Sequence, residues 1–237
     1  MMYKTLIFDL DDTLTDDFEN CKEAFKIMIN SRNEDYKEED FLRFRKIDKK
    51  TWEDRAAGKL LTPYEDDNEK KKEWLRASRI LKYYGIDKIT YEDAVNLNNI
   101  YIEGMKEKVV SRPDAYEVIK YLYNKNYRII IATNGPLEPL EEKIKKIKIF
   151  EFVDIIFSSE EAGQMKPHKG FYEKLFEKIK IVPNKEVLFI GDNLETDIKG
   201  GIENCMSTCW CNYNNEVNNK YVITHEIKKL SDLFEIL

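Results

Sequence analysis

The chain has 237 residues, of which 42% are hydrophobic and 35% charged, enough length for a substantial core and a second small module. Its 39 basic and 45 acidic side chains leave a formal charge of −6, and no basic stripe stands out that could neutralise a phosphate backbone, so a nucleic-acid polymer is not an expected partner. No apolar stretch approaches the length needed to span a bilayer, and Met1-Met2-Tyr3-Lys4 leads into an apolar strand instead of a signal peptide, so no membrane partner and a cytoplasmic location are expected.

The first expected element is a short strand over Tyr3 to Phe8, apolar on both sides as the interior of a parallel sheet requires. It breaks abruptly into Asp9, Asp11 and Asp12. The carboxyl rim of an open α/β sheet is where ligands bind, so Asp9 and Asp11 are expected to point at a substrate and Asp12 to face elsewhere. While the chain stays extended, Asp9 and Asp11 project to one side, and like charges about 4 Å apart repel by roughly 4 kcal/mol at an effective dielectric near 20. Either a divalent cation sits between them or one of them carries a proton it can deliver. A solvated acidic loop capping the next helix is the alternative reading of this stretch alone.

From Asp17 to about Met105 the pattern changes to helical spacing, as in Phe18, Cys21, Phe25 and Met28, then Phe41, Phe44 and Ile47, and later Trp74, Leu75, Ile80 and Leu81. This is read as an all-helical insertion whose helices are broken at Gly58 and at Leu61-Thr62-Pro63, with Asp17 and Ser111-Arg112 as hinges. Within it Lys49, Trp52 and Arg55 share roughly one helical face and are candidate specificity residues, although a packed tryptophan and a solvated arginine fit the same spacing.

Three further clusters follow. A strand over Arg128 to Ala132 ends in Thr133-Asn134-Gly135, which offers a hydroxyl and backbone N–H groups, the outline of a phosphate site. Lys166-Pro167 places a cation ahead of a helix running through Phe171 to Ile179. A strand over Glu186 to Ile190 ends in Gly191-Asp192, with Asp197 five residues on. Cys205, Cys209 and Cys211 lack the paired spacing of a zinc site, and Met206 to Trp210 is read as another core strand with reduced cysteines packed as small hydrophobes. His168 is expected on the surface at a helix start, and His225 has no evident role.

These four clusters, in this order, resemble the four motifs of haloacid dehalogenase superfamily hydrolases: Asp9-Leu10-Asp11-Asp12-Thr13-Leu14, Thr133-Asn134, Lys166-Pro167, and Gly191-Asp192 with Asp197. The resemblance implies an α/β fold, a Rossmann-like three-layer core with a central parallel sheet over residues 1–16 and 106–237, and an inserted all-helical cap over 17–105. It further implies that Asp9 is the nucleophile and forms an aspartyl phosphate, that Asp11 is general acid and base, and that Mg2+ is held by Asp9, Asp192 and the Asp11 main-chain carbonyl, with Asp197 behind them. Thr133, Asn134 and Lys166 would gather the phosphoryl oxygens. His168 stands where the family commonly has an acidic residue.

An acid two residues after the nucleophile speaks against dehalogenation, because a halide leaves without a proton. A magnesium-dependent phosphate monoester hydrolase acting on a small molecule is therefore expected. The flanks of the first and fourth motifs look most like the pyrimidine 5′-nucleotidase branch, which implies a nucleoside 5′-monophosphate. A small phosphosugar or phosphoglycolate phosphatase is the alternative, and a non-catalytic ligand-binding scaffold with the same fold is the alternative of another class. Whether the chain is a monomer or a homodimer is left open.

Overall fold

The computed structural model describes residues 3–56, 59, 63–64, 67–135 and 137–237. Gly58, Leu61 and Thr62 lie outside them, as do the side chains of Trp52 and Arg55. The chain forms two compact units, one of residues 1–17 and 109–237, the other of residues 18–108.

The first unit is built on six parallel strands: β1 (Thr5–Phe8), β2 (Arg128–Thr133), β3 (Ile155–Ser158), β4 (Val187–Gly191), β5 (Ser207–Cys211) and β6 (His225–Ile227), in the order β3-β2-β1-β4-β5-β6. The apolar runs become strands because both faces are covered. Leu6, Phe8, Ile129, Ile131, Leu188 and Ile190 face one apolar cluster, whereas Ile7, Ile130, Ala132 and Phe189 face another. Among the described residues the helices of the two units are α1 (Asp17–Asn30), α2 (Glu38–Ala56), α3 (Asn68–Tyr84), α4 (Tyr91–Glu107), α5 (Ala115–Asn124), α6 (Leu137–Lys146), α7 (Ser159–Ala162), α8 (Lys169–Ile179), α9 (Lys199–Glu203) and α10 (Leu233–Ile236). Helices α5 and α6 supply Val118, Ile119, Leu122, Leu140 and Ile144 to the first cluster, and α8 supplies Phe171, Tyr172 and Leu175 to the second. Helix, sheet and helix make the three-layer α/β architecture expected of the sequence.

Two pairings decide where chemistry can happen. Phe8 aligns with Ile131 of β2 on one side and Ile190 of β4 on the other. The connections leaving β1 and entering β4 therefore run to opposite sides of β1, which opens the crevice at carboxyl ends where α/β folds bind ligands. Five residues of β5 are buried, including Cys209 and Cys211, so this strand forms where the sequence placed one. At the far edge the hydroxyl of Tyr3 lies 2.7 Å from His225 Nε2, giving that histidine a structural partner.

The second unit contains α1 to α4 and an aromatic core of Phe25, Phe41, Phe44, Tyr83 and Tyr101. Phe18, expected on the apolar face, is 37% exposed and meets Phe41 edge-on. Helix α4 starts cleanly because Thr90 and Asp93 form a reciprocal capping box. Inside the unit a buried Arg79 donates to Asp48 at 2.7 Å and to Asn98 at 2.8 Å and lies over the Tyr101 ring. Lys49 is on the exposed side of α2.

Candidate active site

β1 delivers Asp9 to the rim, where its amide N–H donates to Ile190 O of β4 at 2.9 Å. Asp9 is 93% buried, which makes its charge expensive unless paired. Its partner is Lys166, whose ammonium donates to Asp9 Oδ1 at 2.6 Å, to Asp197 Oδ1 at 2.7 Å and to the Ala132 carbonyl at 2.9 Å. Residues 157 and 31 positions away in sequence thus meet at one buried cation. Although burial pulls the lysine's proton affinity down, Asp197 and Asp9 overcome it and hold Lys166 above its ordinary value.

Thr13, fully buried, joins the first and fourth clusters. Its hydroxyl donates to Asp192 Oδ1 at 3.0 Å, lies 3.4 Å from Asp9 Oδ2, and accepts from the Asp192 amide at 3.1 Å. Trp210 of β5 donates its indole N–H to the Asp192 carbonyl at 2.8 Å, so a neighbouring strand fixes this acidic residue through its main chain. The chain after Asp192 forms a single wide turn, Leu194–Ile198, pinned by Asn193 at its start and by the Tyr172 hydroxyl on the Thr196 carbonyl. That turn is what swings Asp197 back beneath the site. Gly191 leaves the room: a Cβ there would fall 2.4 Å from Asp197 Oδ2. Gly191→Ala is expected to cost about 1–3 kcal/mol through overpacking. Because the displaced group is a partner of Lys166, turnover falls with it, and paired melting and rate measurements check this.

At the end of β2, Thr133 is buried with its hydroxyl accepting from the Gly135 amide at 3.0 Å. Asn134, expected to turn its amide toward a phosphoryl group, instead donates to the Lys166 carbonyl at 3.1 Å and accepts from the Lys166 amide at 2.6 Å. Its carboxamide therefore sets the lysine loop. His168 is exposed and caps α8, its Nδ1 accepting from the Gly170 amide.

Asp11 is not paired with the same cation as Asp9. Lys143 of α6, only 4% exposed, donates to Asp11 Oδ1 at 2.6 Å and lies 3.7 Å from Asp17 Oδ1. Sequence reasoning did not single out this lysine, which stands in a run of charged residues. The third acidic residue, Asp12, takes a left-handed backbone conformation and pairs with Arg112 at 3.4 Å.

Carboxylate oxygens of Asp9, Asp192 and Asp197 lie within 4.8 Å of one another, so each pair repels by roughly 3–4 kcal/mol at an effective dielectric near 20. One ammonium does not offset three carboxylates. Burial first, and then Asp197 against the relief from Lys166, raises Asp9 to about 7. Burial, with Asp197, Asp9 and Asp12 adding to it, raises Asp192 well above the carboxylate range. An all-oxygen donor set with surplus negative charge suits a hard divalent cation.

Fold and site together define an α/β enzyme class with a carboxylate centre at the topological switch point of a parallel sheet. Residues 3–203 match the family model for haloacid dehalogenase-like hydrolases. Among curated proteins the chain is 31% identical to the HAD-hydrolase YfnB of Bacillus subtilis over 237 residues, covering 99% of this chain and 95% of the relative. It is 25% identical to the pyrimidine 5′-nucleotidase YjjG of Escherichia coli, covering 100% of this chain and 99% of that one, and 26% identical to the pyrimidine 5′-nucleotidase PynA of Streptococcus pneumoniae, covering 100% and 96%. A solved structure of YfnB bound to magnesium superposes with a TM-score of 0.82 at 28% identity, covering 99% of this chain and 98% of that one. The chain belongs to the haloacid dehalogenase-like hydrolases.

Proposed function

We propose that the chain is a magnesium-dependent phosphate monoester hydrolase that works through an aspartyl phosphate on Asp9, with nucleoside 5′-monophosphates as its substrate class. The observation that carries this reading is the convergence of Asp9, Lys166, Asp192 and Asp197 on one buried point, with Asp11 beside it on a separate cation. The full-length match to two pyrimidine 5′-nucleotidases supports the substrate class.

In this proposal a carboxylate oxygen of Asp9 attacks phosphorus, and the bond from phosphorus to the leaving oxygen breaks as Asp11 gives that oxygen a proton. Water then attacks the phosphorylated Asp9, Asp11 takes a proton from it, and inorganic phosphate and free Asp9 are regenerated. Lys166 and the Thr133 hydroxyl stabilise the charge that spreads over the phosphoryl oxygens, and Asn134 serves by holding the lysine main chain. Asp9, Asp192 and the Asp11 main-chain carbonyl would hold Mg2+, with Asp197 supporting them through Lys166. The ion would supply charge neutralisation and a fixed orientation for the phosphoryl group. Residues 17–105 act as a specificity module in the same proposal, with Lys49, Trp52 and Arg55 as its candidates.

The test is turnover of 4-nitrophenyl phosphate with magnesium and with a chelator, followed by a screen of nucleoside monophosphates, sugar phosphates and phosphoglycolate. Magnesium-dependent release of phosphate, fastest from a nucleotide, is the expected result. A sugar phosphate or phosphoglycolate preference overturns the substrate class alone. No turnover at any pH tested overturns the enzyme reading and leaves a ligand-binding scaffold.

A further inference from the structure

Lys143 is an unusual residue for its helix. Its neighbours Lys145 and Lys146 are exposed, whereas Lys143 turns inward on the same face as Leu140, Ile144 and Ile147. Burying an ammonium costs several kcal/mol unless a partner compensates it, and the partners here are Asp11 at 2.6 Å and Asp17 at 3.7 Å. A second contact reaches the same oxygen, because the Thr15 hydroxyl, with one proton to share between Asp11 Oδ1 and the Leu10 carbonyl, lies 3.3 Å from each. The other oxygen is placed differently. An ideal Cβ on Gly135 would lie 3.1 Å from Asp11 Oδ2 and 3.3 Å from Thr133 Oγ1, so Oδ2 is turned toward the end of β2.

We infer that Lys143 is a positioning residue for leaving-group protonation: with Thr15 it anchors one oxygen of Asp11 and thereby presents the other beside the Thr133 end of the phosphate site. The inference rests on the reading of Asp11 as the proton donor to the departing alkoxide. A carboxyl group free to rotate about its side chain would spend much of its time with neither oxygen aimed at the ester. Lys143 acts through Asp11. Its position opposite the working oxygen lets it constrain Asp11 without blocking the proton's path.

A structural ion pair would affect all substrates alike, and a positioning role would not. Departure of 4-nitrophenolate needs little proton transfer, whereas departure of an alkoxide needs a well-placed acid. The ratio kcat/KM reads this first displacement and is insensitive to the later hydrolysis of phosphorylated Asp9. The experiment is a plot of log kcat/KM against leaving-group pKa for aryl and alkyl phosphates, at saturating magnesium, with the full chain. For Lys143→Met the alkyl phosphates are expected to fall about 10- to 100-fold and 4-nitrophenyl phosphate less than about threefold, the scale of a misplaced catalytic group. Lys143→Arg is expected to recover part of the alkyl loss. Equal falls across the series, or an unchanged plot, overturn the inference.

Circular dichroism accompanies each variant. Where Lys143→Met does not fold, Lys143→Gln carries the comparison, since it keeps a hydrogen-bond donor without the charge. Asp11→Asn is run in parallel. If its plot steepens and that of the Lys143 variants does not, the positioning role fails and the acid stands. If the Asp11→Asn plot is also flat, Asp11 is not the proton donor and both fall together.

Discussion

Replacing Asp9 by asparagine is expected to abolish turnover, by roughly 10⁴-fold or more, and at the same time to raise the melting temperature of the magnesium-free protein at pH 8. The first effect follows from the proposed role of Asp9 as the attacking group, since a neutral amide is a poor nucleophile toward phosphorus. The second follows from the electrostatics of the site. Folded Asp9 keeps its proton up to about pH 7, whereas the unfolded chain releases it near the ordinary value of 3.8. Between these values the folded state binds more protons than the unfolded state, so stability falls as pH rises, by an amount that reaches about 4 kcal/mol for a shift of this size. Asp192, also raised, contributes in the same direction. Asparagine carries no charge and removes the Asp9 share of that loss. Melting curves in chelator from pH 5 to pH 8 are therefore expected to diverge, the variant gaining on the wild type as pH rises. Added magnesium should stabilise the wild type more at pH 8 than at pH 5 and stabilise Asp9→Asn less. A difference between the two proteins that stays constant with pH would show that the carboxylate crowd is not its cause.

Three of the clusters that were legible in the sequence lie where an unbroken apolar run stops. Strands β1, β2 and β4 are buried on both faces and end at Asp9, Thr133 and Gly191, so composition marks both the strand and its rim. Strand β3 starts with two half-buried isoleucines, and β6 has three residues at the sheet edge, too short for any period to register. The repulsion argument for Asp9 and Asp11 asked for a cation between them or a proton on one of them, and the structure adds an ammonium beside each, Lys166 and Lys143. Only Lys166 was foreseen, because it stands before a proline at the head of a helix. Lys143 sits in Glu141-Glu142-Lys143-Ile144-Lys145-Lys146, which reads as a solvated face. A signal was present: Lys143 falls three residues after Leu140 and four before Ile147, on the buried stripe. The Arg79, Asp48 and Asn98 cluster has no such signal, since its members lie 31 and 19 residues apart and meet only through helix packing. The carboxamide of Asn134 shows the converse limit, because a motif gives the residue and not the rotamer.

Lys166→Met is expected to have the other large effect, and here stability and activity fall together. The ammonium is almost wholly buried and its three contacts are two carboxylates and a carbonyl, with the Phe189 ring below at 5.3 Å. Removing one member of such a group leaves the others charged and uncompensated, at a cost of about 3–5 kcal/mol. The pH dependence identifies the cause. Lys166 is raised above its ordinary value, so its contribution is complete below the pKa of an unfolded lysine and is lost only as pH rises through a still higher value; the lysine itself adds no slope between pH 5 and pH 8. Its carboxylate partners do. Without the cation, Asp9 loses the influence that opposes burial and holds its proton to higher pH. The variant should therefore lose stability more steeply than the wild type as pH rises from 5 to 8 in chelator, and lie closest to it at pH 5. Turnover should fall by about 10²- to 10³-fold or more even where the variant is fully folded, because the group proposed to stabilise the phosphoryl oxygens is gone. Denaturant melts at the two pH values, with rates measured under folded conditions, separate the two losses. Equal destabilisation at pH 5 and pH 8 would mean that methionine fails for reasons of packing, and that the lysine's charge is not what holds these carboxylates together.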